Sequence, residues 1–600
     1  MSRQSRRDLV RAGIRSLALA WPATLPTPSV DDDLADACRL LDARVDPQEL
    51  TTAAAVLGIA IGVVAFAGTL LVAPGTASTR VVALAGAVAV ALGSATDVLC
   101  RRLPVLVATG RRRRAAADAA TVVSSLALSL RLSPVPERAV RFAATVGDGP
   151  LQRSLRRHGD RAAVAGRTDG GLGAFGSEWA EWVPGLDRSL ALLVDALDAD
   201  TEADRARLLD RAVHVVEERL RDRAASFAGD LRGPVTGLYA FGVLLPLALV
   251  GTVPAAAAAG VRVPPLAFVV VYDLLLPGGL VVAAVSLLRR RPVSFPAPRV
   301  RRSHPAVPDR RPHALAAGVL AVAVGWLLAR ALLGTWAAPV LAGGAGLGVG
   351  ALVLLRPARE VRRAVDERER ALGDALTLLG RRVGDGDSVE HALPQVATDL
   401  SGPVGDALTA ASRRRDALGC TVGDALAGEG GPFGPSRAVG PRSTAAVAFV
   451  CAAVSEGRTA GPALVDHAER LDALAACERA AQRELATVTN TLRDTAALYG
   501  PLVGGASVAL AGRLDGLSGT GGAASALAGA GGAGEVLSVG IVGPAVGGYV
   551  LALAAVLTAL ATGLERGLDV TVVGYRVGIA LVTASSAFVA GHVAVAALVG

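Results

Sequence analysis

Nine stretches of mostly apolar residues, each about 20 residues long, alternate with polar segments along the chain. A helix of about 20 apolar residues is long enough to cross the roughly 30 Å hydrocarbon core of a membrane. The signal is weakest where Pro246 and Pro501 interrupt an apolar run, although proline is tolerated when neighbouring helices satisfy the freed backbone groups. The pattern predicts nine transmembrane helices: 51–73, 80–99, 236–253, 265–288, 314–333, 337–355, 496–512, 536–563 and 573–599.

The two long polar segments, 101–234 and 356–495, carry the pattern of amphipathic helices. In Asp204–Arg223, apolar side chains recur every three or four residues and charged side chains fill the remaining positions. This is the period of a helix that buries one face. Leu464–Leu485 shows the same pattern, and the alternating Val, Ile and Thr runs that would indicate strands are scarce. We therefore predict an all-α protein.

The second polar segment repeats the first. Two matches share an offset of 253 residues: Glu137–Val140 (ERAV) with Glu390–Leu393 (EHAL), and Gly149–Leu155 with Gly402–Leu408. Two further matches follow at slightly larger offsets: Leu208–Ala212 (LLDRA) with Leu464–Ala468 (LVDHA), and Leu238-Tyr239 with Leu498-Tyr499. A slow drift in the offset is what small insertions into a duplicated unit leave behind, so we predict two related helical domains.

Arginine placement sets the predicted orientation of the spans. Clustered arginines follow spans two, four and six, whereas the short segments 74–79 and 334–336 carry no charge. Arginine accumulates on the cytoplasmic side of membrane proteins. All basic segments lie on that side if the N-terminus is cytoplasmic, and nine spans then place Gly600 outside. We expect a multi-pass protein of the cell membrane.

These patterns divide the chain into six predicted regions. In order, they are a cytoplasmic N-terminal tail, transmembrane helices 1–2, a cytoplasmic helical domain, transmembrane helices 3–6 with a basic linker, a second cytoplasmic helical domain, and transmembrane helices 7–9 with a Gly/Ala-rich outer loop. Their bounds are 1–50, 51–100, 101–234, 235–355 (linker 289–312), 356–495 and 496–600 (outer loop 513–535). The tail has a twin-arginine pattern at Ser5–Val10, but Pro22 interrupts the following apolar run, which favours a tail over an export signal.

Composition agrees with a membrane protein that lacks common enzyme motifs. With 52% hydrophobic residues, 19% charged residues and a mean hydropathy of +0.47, the chain is more apolar than ordinary soluble proteins. The net charge of +8 comes from arginines beside apolar spans, so topology explains it better than nucleic-acid binding. The chain contains no lysine, which excludes a Walker A loop. Its five cysteines are far apart and form no CxxC, so we expect no disulfide framework, zinc site or cofactor.

Two charged residues fall inside predicted spans, where an ionisable group is costly and often functional. Asp273 lies in span four and Arg330 lies near the outer end of span five, so they are a candidate intramembrane pair. A proton relay is one interpretation, and we favour the simpler ones, a structural ion pair or an arginine that extends to the interface. His592 in span nine is isolated, which is more typical of a packing histidine.

Basic clusters in the two repeats are candidate partner-facing patches. Each follows the Gly-Pro step of its repeat, and we interpret the two clusters as occupying corresponding positions. A repeated basic surface would suit an acidic partner protein or anionic headgroups, whereas the alternative is an ordinary solvated helix face. The patches are Arg153, Arg156 and Arg157 in the first repeat, and Arg413, Arg414 and Arg415 in the second.

Taken together, the repeated module resembles the type II secretion F domain. The best match is Ser388–Leu393 (SVEHAL) followed by the Gly-Pro step at Gly402-Pro403, a later LVD helix, and a Leu-Tyr pair that opens a membrane span. The resemblance covers about 115–252 and 366–512, and the span arrangement is similar to that of archaeal members with two domains. Pro134 and Pro136 depart from the family's usual Gly-rich turn.

The resemblance implies a non-enzymatic membrane platform of a type IV pilus, Tad pilus, type II secretion system or archaellum. In that family, a cytoplasmic secretion ATPase docks beneath the helical domains, and its movement is passed to pilin-like subunits in the membrane. The expected partners are therefore the ATPase, pilin-like subunits, the lipid membrane and a second copy of the chain, with no nucleic acid.

Two other functions remain open on the sequence. A secondary transporter built from duplicated halves also contains an internal repeat, but it would place polar groups at the middle of the membrane. A membrane sensor or scaffold with cytoplasmic helices is the third possibility.

Overall fold

The computed structural model describes most of the chain, and every regular element in the described part is helical. The all-α prediction is therefore confirmed for these residues. The described residues are 13–22, 27–41, 46–72, 79–147, 149–258, 264–290, 307–308, 310–434, 437, 439–457, 460–520 and 539–599.

The helices of the first half, numbered along the chain, are α1 (13–19), α2 (Asp32–Leu40), α3 (Pro47–Val72), α4 (Thr79–Leu132), α5 (Pro136–Thr145), α6 (Pro150–Ala165), α7 (Leu172–Trp179), α8 (Leu186–Asp195), α9 (Glu202–Tyr239), α10 (Leu245–Ala258), α11 (Pro265–Val269) and α12 (Leu276–Arg290). The helices of the second half are α13 (Arg311–Leu332), α14 (Ala338–Arg370), α15 (Leu372–Asp385), α16 (Val389–Asp399), α17 (Pro403–Leu418), α18 (Val422–Ala427), α19 (Pro441–Glu456), α20 (Ala460–Asp494), α21 (Gly500–Thr520), α22 (Val539–Arg566) and α23 (Val570–Val599).

Three π-helical turns interrupt long helices without ending them. They are π1 (Ala240–Leu244), π2 (Val270–Leu275) and π3 (Thr495–Tyr499). As a result, α9, π1 and α10 form one continuous helix, as do α20, π3 and α21. A π-turn inside an α-helix is uncommon and is found frequently at functional sites.

Nine helices within the described part of the chain are long and apolar enough to cross a membrane, so the protein is an all-α, multi-pass membrane protein. All nine overlap the predicted spans. The second overlap is short, because α4 is a single helix from Thr79 to Leu132 that contains 80–99, and its apolar stretch within the described residues is Thr96–Leu132. Much of that stretch is buried, including Val123, Leu126 and Leu130. Its apolar side chains therefore pack against other helices, a role that composition alone does not distinguish from a membrane span.

Two predicted loop boundaries differ in the structure. The Gly/Ala-rich segment 513–535 begins as helix, because α21 continues to Thr520, and residues 521–535 lie outside the described part. The basic linker 289–312 is helical at both of its ends, and 291–306 lies outside the described part. The twin-arginine pattern at Ser5–Val10 also lies outside it.

Residues 1–116 form the first of two compact units. Within it, α3 and α4 approach closely at two glycines: a Cβ added to Gly58 would lie 2.7 Å from the carbonyl oxygen of Gly93. Arg111 of α4 donates a hydrogen bond of 2.8 Å to the carbonyl oxygen of Leu40 at the end of α2.

The second unit, residues 117–600, contains both copies of the repeat, which we call module A (117–239) and module B (366–494). Two pairs of helices coincide at the offset found in the sequence, α5 with α16 and α6 with α17. Each of α6 and α17 is 16 residues long and begins at a proline, where the missing N–H has no helical partner to lose. Each ends at a left-handed glycine, Gly166 with φ 65° and Gly419 with φ 60°. The duplication is therefore visible in local structure as well as in sequence.

In the membrane-spanning part of the second unit, α22 is the central helix and packs against α12, α20, α21 and α23. One of its contacts satisfies a backbone carbonyl group that a proline leaves without a donor. Pro246 has no N–H, so the carbonyl oxygen of Gly242 loses its usual helical donor, and the buried Tyr549 hydroxyl of α22 donates to that oxygen. A neighbouring helix thus satisfies the freed backbone group inside the hydrocarbon, as the sequence predicts for this span.

Replacing Gly591 by alanine should loosen the membrane helices. The new Cβ would lie 2.0 Å from the backbone carbonyl oxygen of Leu502, so α21 and α23 would have to separate, at a cost of about 1–3 kcal/mol. Gly278→Ala is the matched control, because nothing lies within 4 Å of a Cβ at that membrane glycine. In detergent micelles, the melting temperature should fall for Gly591→Ala and not for Gly278→Ala. Equal melting temperatures would contradict the close approach of α21 and α23.

Candidate functional site at the interface of the two modules

Module A and module B meet through four charged side chains that we call the interface quartet: Arg131, Asp210, Asp466 and Arg470. Asp210 Oδ1 lies 2.6 Å from Nη2 of Arg131 and 2.8 Å from Nη2 of Arg470. Arg131 also forms an ion pair with Asp466. Since each module contributes one arginine and one aspartate, the quartet crosses the interface in both directions.

The two aspartates of the quartet occupy equivalent positions in the duplication. Asp210 is the aspartate of LLDRA in α9, and Asp466 is the aspartate of LVDHA in α20. These helices pack against each other, so the duplicated motif meets its own copy. The sequence repeat could have identified both residues, but no pattern in the sequence indicates their arginine partners, because Arg131 lies at the end of α4.

The quartet is partly shielded from solvent. The side chain of Arg470 is 14% exposed and that of Arg131 is 23% exposed. Burial lowers the pKa of Arg470, and the neighbouring charge of Arg131 lowers it further, while Asp210 and Asp466 oppose both effects. Partly buried pairs that share an acceptor are screened less by salt than ordinary surface ion pairs, so the quartet holds a defined relative position of α9 and α20.

An apolar contact lies beside the quartet. Leu128 of α4 is buried in the core of module B. The rings of Phe142 in module A and Phe449 in module B make an edge contact with centroids 6.5 Å apart. His467 packs against Phe449 at 5.1 Å from the other side. The two modules therefore share part of one core.

His467 is buried without a hydrogen-bond partner for either ring nitrogen among the described residues. It follows Asp466 in the repeat, where module A has Arg211. Burial lowers the pKa of His467 to about 4, with a smaller contribution from the charge of Arg470. The ring is therefore neutral at neutral pH, and its protonation would introduce a charge into the shared core.

The cavity at this interface is too small for a substrate. It has a volume of about 40 Å³, enough for a single water molecule. Its lining is Ser129, Leu132, Ser133, Arg138, Phe142, Phe449 and Ala452. Across the described residues, no group of three His, Cys, Asp or Glu side chains is placed to hold a metal ion. The expectation that the protein uses no cofactor stays a prediction.

In the first predicted basic patch, two of the three arginines have partners inside module A. Arg156 donates a hydrogen bond of 2.8 Å to the carbonyl oxygen of Ala144, and Arg157 lies 3.3 Å from Glu178. Ser154 and His158 bind the same carboxylate. Although burial alone would raise the pKa of Glu178, the hydrogen bonds from His158 and Ser154 and the charge of Arg157 lower it. All three arginines remain exposed on the module surface.

In the second predicted patch, Arg415 donates to the carbonyl oxygen of Glu390 and lies 2.9 Å from Asp416, and Arg414 is partly buried. Arg413 is exposed. The interpretation that the two patches correspond in position is wrong: Arg153, Arg156 and Arg157 lie in the first half of α6, whereas Arg413, Arg414 and Arg415 lie in the second half of the equivalent α17. Arg153, Arg156, Arg157 and Arg413 are exposed, whereas Arg414 and Arg415 are partly buried.

The candidate intramembrane pair is not formed within the chain. Asp273 lies in π2, and π2 and α12 pack against α22. Arg330 lies in α13, which packs against α14. Both side chains are exposed, and no ion pair joins them. Sequence position indicated their depth but not which helices are neighbours. His592 packs against Trp336, with ring centroids 5.3 Å apart.

An ion-pair cluster around Glu565, at the end of α22, has no signal in the sequence. Its Oε1 accepts hydrogen bonds from the Thr489 hydroxyl at 2.5 Å and from Arg493 at 2.6 Å, and its Oε2 accepts one from Arg576 at 2.8 Å. The cluster fastens α20 of module B to the α22–α23 hairpin. The module therefore cannot tilt independently of the last two membrane helices while these contacts hold.

Comparisons of the chain with protein-family models, with curated proteins and with solved structures found no match.

Replacing His467 by leucine should reduce the loss of stability at acidic pH. The folded pKa of His467 is about 4 against 6.5 for an exposed histidine, so between these values the unfolded chain binds more protons and stability falls as the pH falls. The loss at pH 5 is about 2 kcal/mol. The melting temperature in micelles should drop between pH 7.5 and pH 5.0, and His467→Leu should make that drop smaller.

The control for this change is His391→Leu, because His391 is exposed and should leave the pH dependence as it is in the original protein. An unchanged drop in the His467→Leu variant would contradict a buried neutral ring at this position.

Proposed function

We propose that this protein is the membrane platform of a filament-assembly system of the type IV pilus and type II secretion class. In this role it couples a cytoplasmic secretion ATPase to the extraction and assembly of pilin-like subunits. The observation that carries the proposal is the arrangement of the duplicated modules. They meet at the interface quartet, and each continues without a break into a membrane helix.

The continuous helices supply a route for movement. The helix of module A runs from Glu202 to Ala258, and that of module B runs from Ala460 to Thr520. Each contains a π-turn, π1 or π3, close to the point where its predicted span begins. A helix transmits displacement along its axis, and a π-turn is a place where its geometry changes locally. A force applied to either module would therefore reach the membrane helices.

The exposed charges suit a partner on the module surface. Arg153 and Arg413 are exposed on equivalent helices, α6 and α17. An acidic surface of the ATPase would complement both, and charge complementarity mainly raises the association rate and fixes the orientation. Pilin-like subunits would instead meet the membrane helices.

The proposal includes an orientation. With the arginine-rich ends inside, both modules and the N-terminus are cytoplasmic in the cell membrane, and the C-terminus is extracytoplasmic. The modules then stand on the side where ATP is available.

A cysteine-labelling experiment tests this orientation. The five native cysteines are buried or partly buried, so single exposed positions on a cysteine-free background are more informative. Asp200→Cys in module A and Asp385→Cys in module B should resist a membrane-impermeant maleimide in intact cells and react after lysis. Thr335→Cys, in the exposed turn between α13 and α14, should react without lysis. Labelling of either module position in intact cells would contradict the orientation.

Loss of the interface quartet should stop filament assembly while leaving ATPase binding in place. Deleting the gene should remove a surface filament that electron microscopy detects, and the original gene should restore it. Asp210→Ala with Asp466→Ala leaves Arg131 and Arg470 without their acceptors, so the two modules lose their fixed relation. Affinity purification should still recover the ATPase, judged by ATP hydrolysis in the purified complex, but few filaments should return.

The matched control changes Asp222 and Asp230 to alanine, two exposed aspartates in α9. It should restore filaments fully. Unchanged filaments after gene deletion, together with solute uptake by the purified protein in lipid vesicles, would contradict the platform and favour the transporter.

A further inference from the structure

Asp273 is an exposed carboxylate in a membrane helix. Its neighbours Leu274 and Leu275 are 66% and 61% exposed, so no part of the described chain covers this side of the helix. Its Oδ1 lies over Gly548 of α22, where an added Cβ would come within 2.8 Å of it. Because Gly548 has no side chain, the Asp273 carboxylate has room at the interface between π2 and α22. An aspartate side chain is too short to reach the interface from here.

Arg330 is an exposed guanidinium on the most weakly covered membrane helix. Only 11% of the residues in the apolar stretch of α13 are buried. The buried residues Ala314, Gly325 and Ala329 face α14, and most of the remaining helix surface, including Leu327 and Leu328, is exposed. Arg330 has no ion-pair partner among the described residues. The surface around it is apolar, so it is a suitable face for another membrane helix.

The two charges lie at similar depth. The helix that contains Asp273 ends at Arg290, and the next helix begins at Arg311, so these two arginines mark the same side of the membrane. At about 1.5 Å per residue, Asp273 stands about 25 Å from Arg290 and Arg330 stands about 28 Å from Arg311. In a helix the Cα–Cβ bond tilts toward the N-terminus. For α13 that direction leads from Arg330 toward the membrane interior and the level of Asp273.

We propose that Asp273 of one copy forms an ion pair with Arg330 of a second copy of this chain. An isolated carboxylate in hydrocarbon costs several kcal/mol, and pairing removes much of that cost. Within one copy, α12 packs on α22 and α13 packs on α14, so the two charges cannot neutralise each other there. The second copy supplies the opposite charge at the matching depth and covers both apolar faces. This inference is independent of the proposed function.

Reciprocal charge reversal tests the pair in lipid vesicles with the full chain. Fluorescently labelled copies should show energy transfer between original proteins. Asp273→Arg alone and Arg330→Asp alone should each weaken self-association at least tenfold. A mixture of the two variants should restore association, because the arginine at position 273 of one meets the aspartate at position 330 of the other, and the unchanged residues also form a pair. An ion pair within a chain gives no such recovery on mixing.

Two more conservative substitutions distinguish loss of the ion pair from misfolding. Asp273→Asn and Arg330→Gln keep the side-chain size, and each should weaken association while leaving the melting temperature close to the original. Asp222→Asn is the matched control, because it removes an exposed aspartate from module A. It should leave association unchanged.

Three results would overturn the proposal: no energy transfer between original copies, association unchanged by both charge reversals, or no recovery when folded variants are mixed. Loss of binding to a different membrane protein on Asp273→Asn, without any change in self-association, would assign Asp273 to another partner and also overturn it.

Discussion

The interface quartet is the interaction on which the arrangement of the protein depends. Asp210 accepts from two arginines of different modules, and Arg131 binds aspartates of both. Without these contacts, α9 and α20 would keep their apolar packing and the hydrogen bond from Arg221 to Cys477, but they would lose the ion pairs that fix their register. With them, the two copies of a duplicated unit meet through their equivalent aspartates. The points at which the two long helices enter the membrane therefore have a fixed relative position. Burial of apolar side chains drives the contact between the modules, and the charged side chains determine its geometry.

The membrane part is constrained differently, because inside hydrocarbon every backbone group needs a protein partner. The Tyr549 hydroxyl satisfies the carbonyl that Pro246 leaves without a donor, and that contact ties α22 to the helix leaving module A. Glu565, near the C-terminal end of α22, ties this helix to the helix leaving module B. A single central helix therefore touches both long helices, and the glycine contacts of α21 and α23 close the packing around it.

Much of the fold follows from the sequence. The spans were predictable because a run of about 20 apolar residues has few alternatives. The unbroken continuation of α4 to Leu132 was not, since the alanines, valines and leucines near Leu126 belong to a buried helical core. The duplication was visible through ERAV and EHAL, and its LLDRA and LVDHA segments contain Asp210 and Asp466. Arg131, Glu565 and Trp336 gave no signal, because their roles arise only when distant helices meet. Asp273 and Arg330 were matched by depth, but depth does not determine which helices are neighbours.

The π-turns have a geometric consequence for the two long helices. A π-turn accommodates one extra residue within an otherwise regular helix, and one residue corresponds to about 100° of rotation about the axis. In π1 and π3, the face that each helix presents to lipid is therefore turned relative to the face that it buries in its module. Relaxing either turn to an ordinary α-helix, without any change in contacts at the module, would swing a different row of side chains toward α22. A change in either π-turn would therefore rotate its helix about the helix axis.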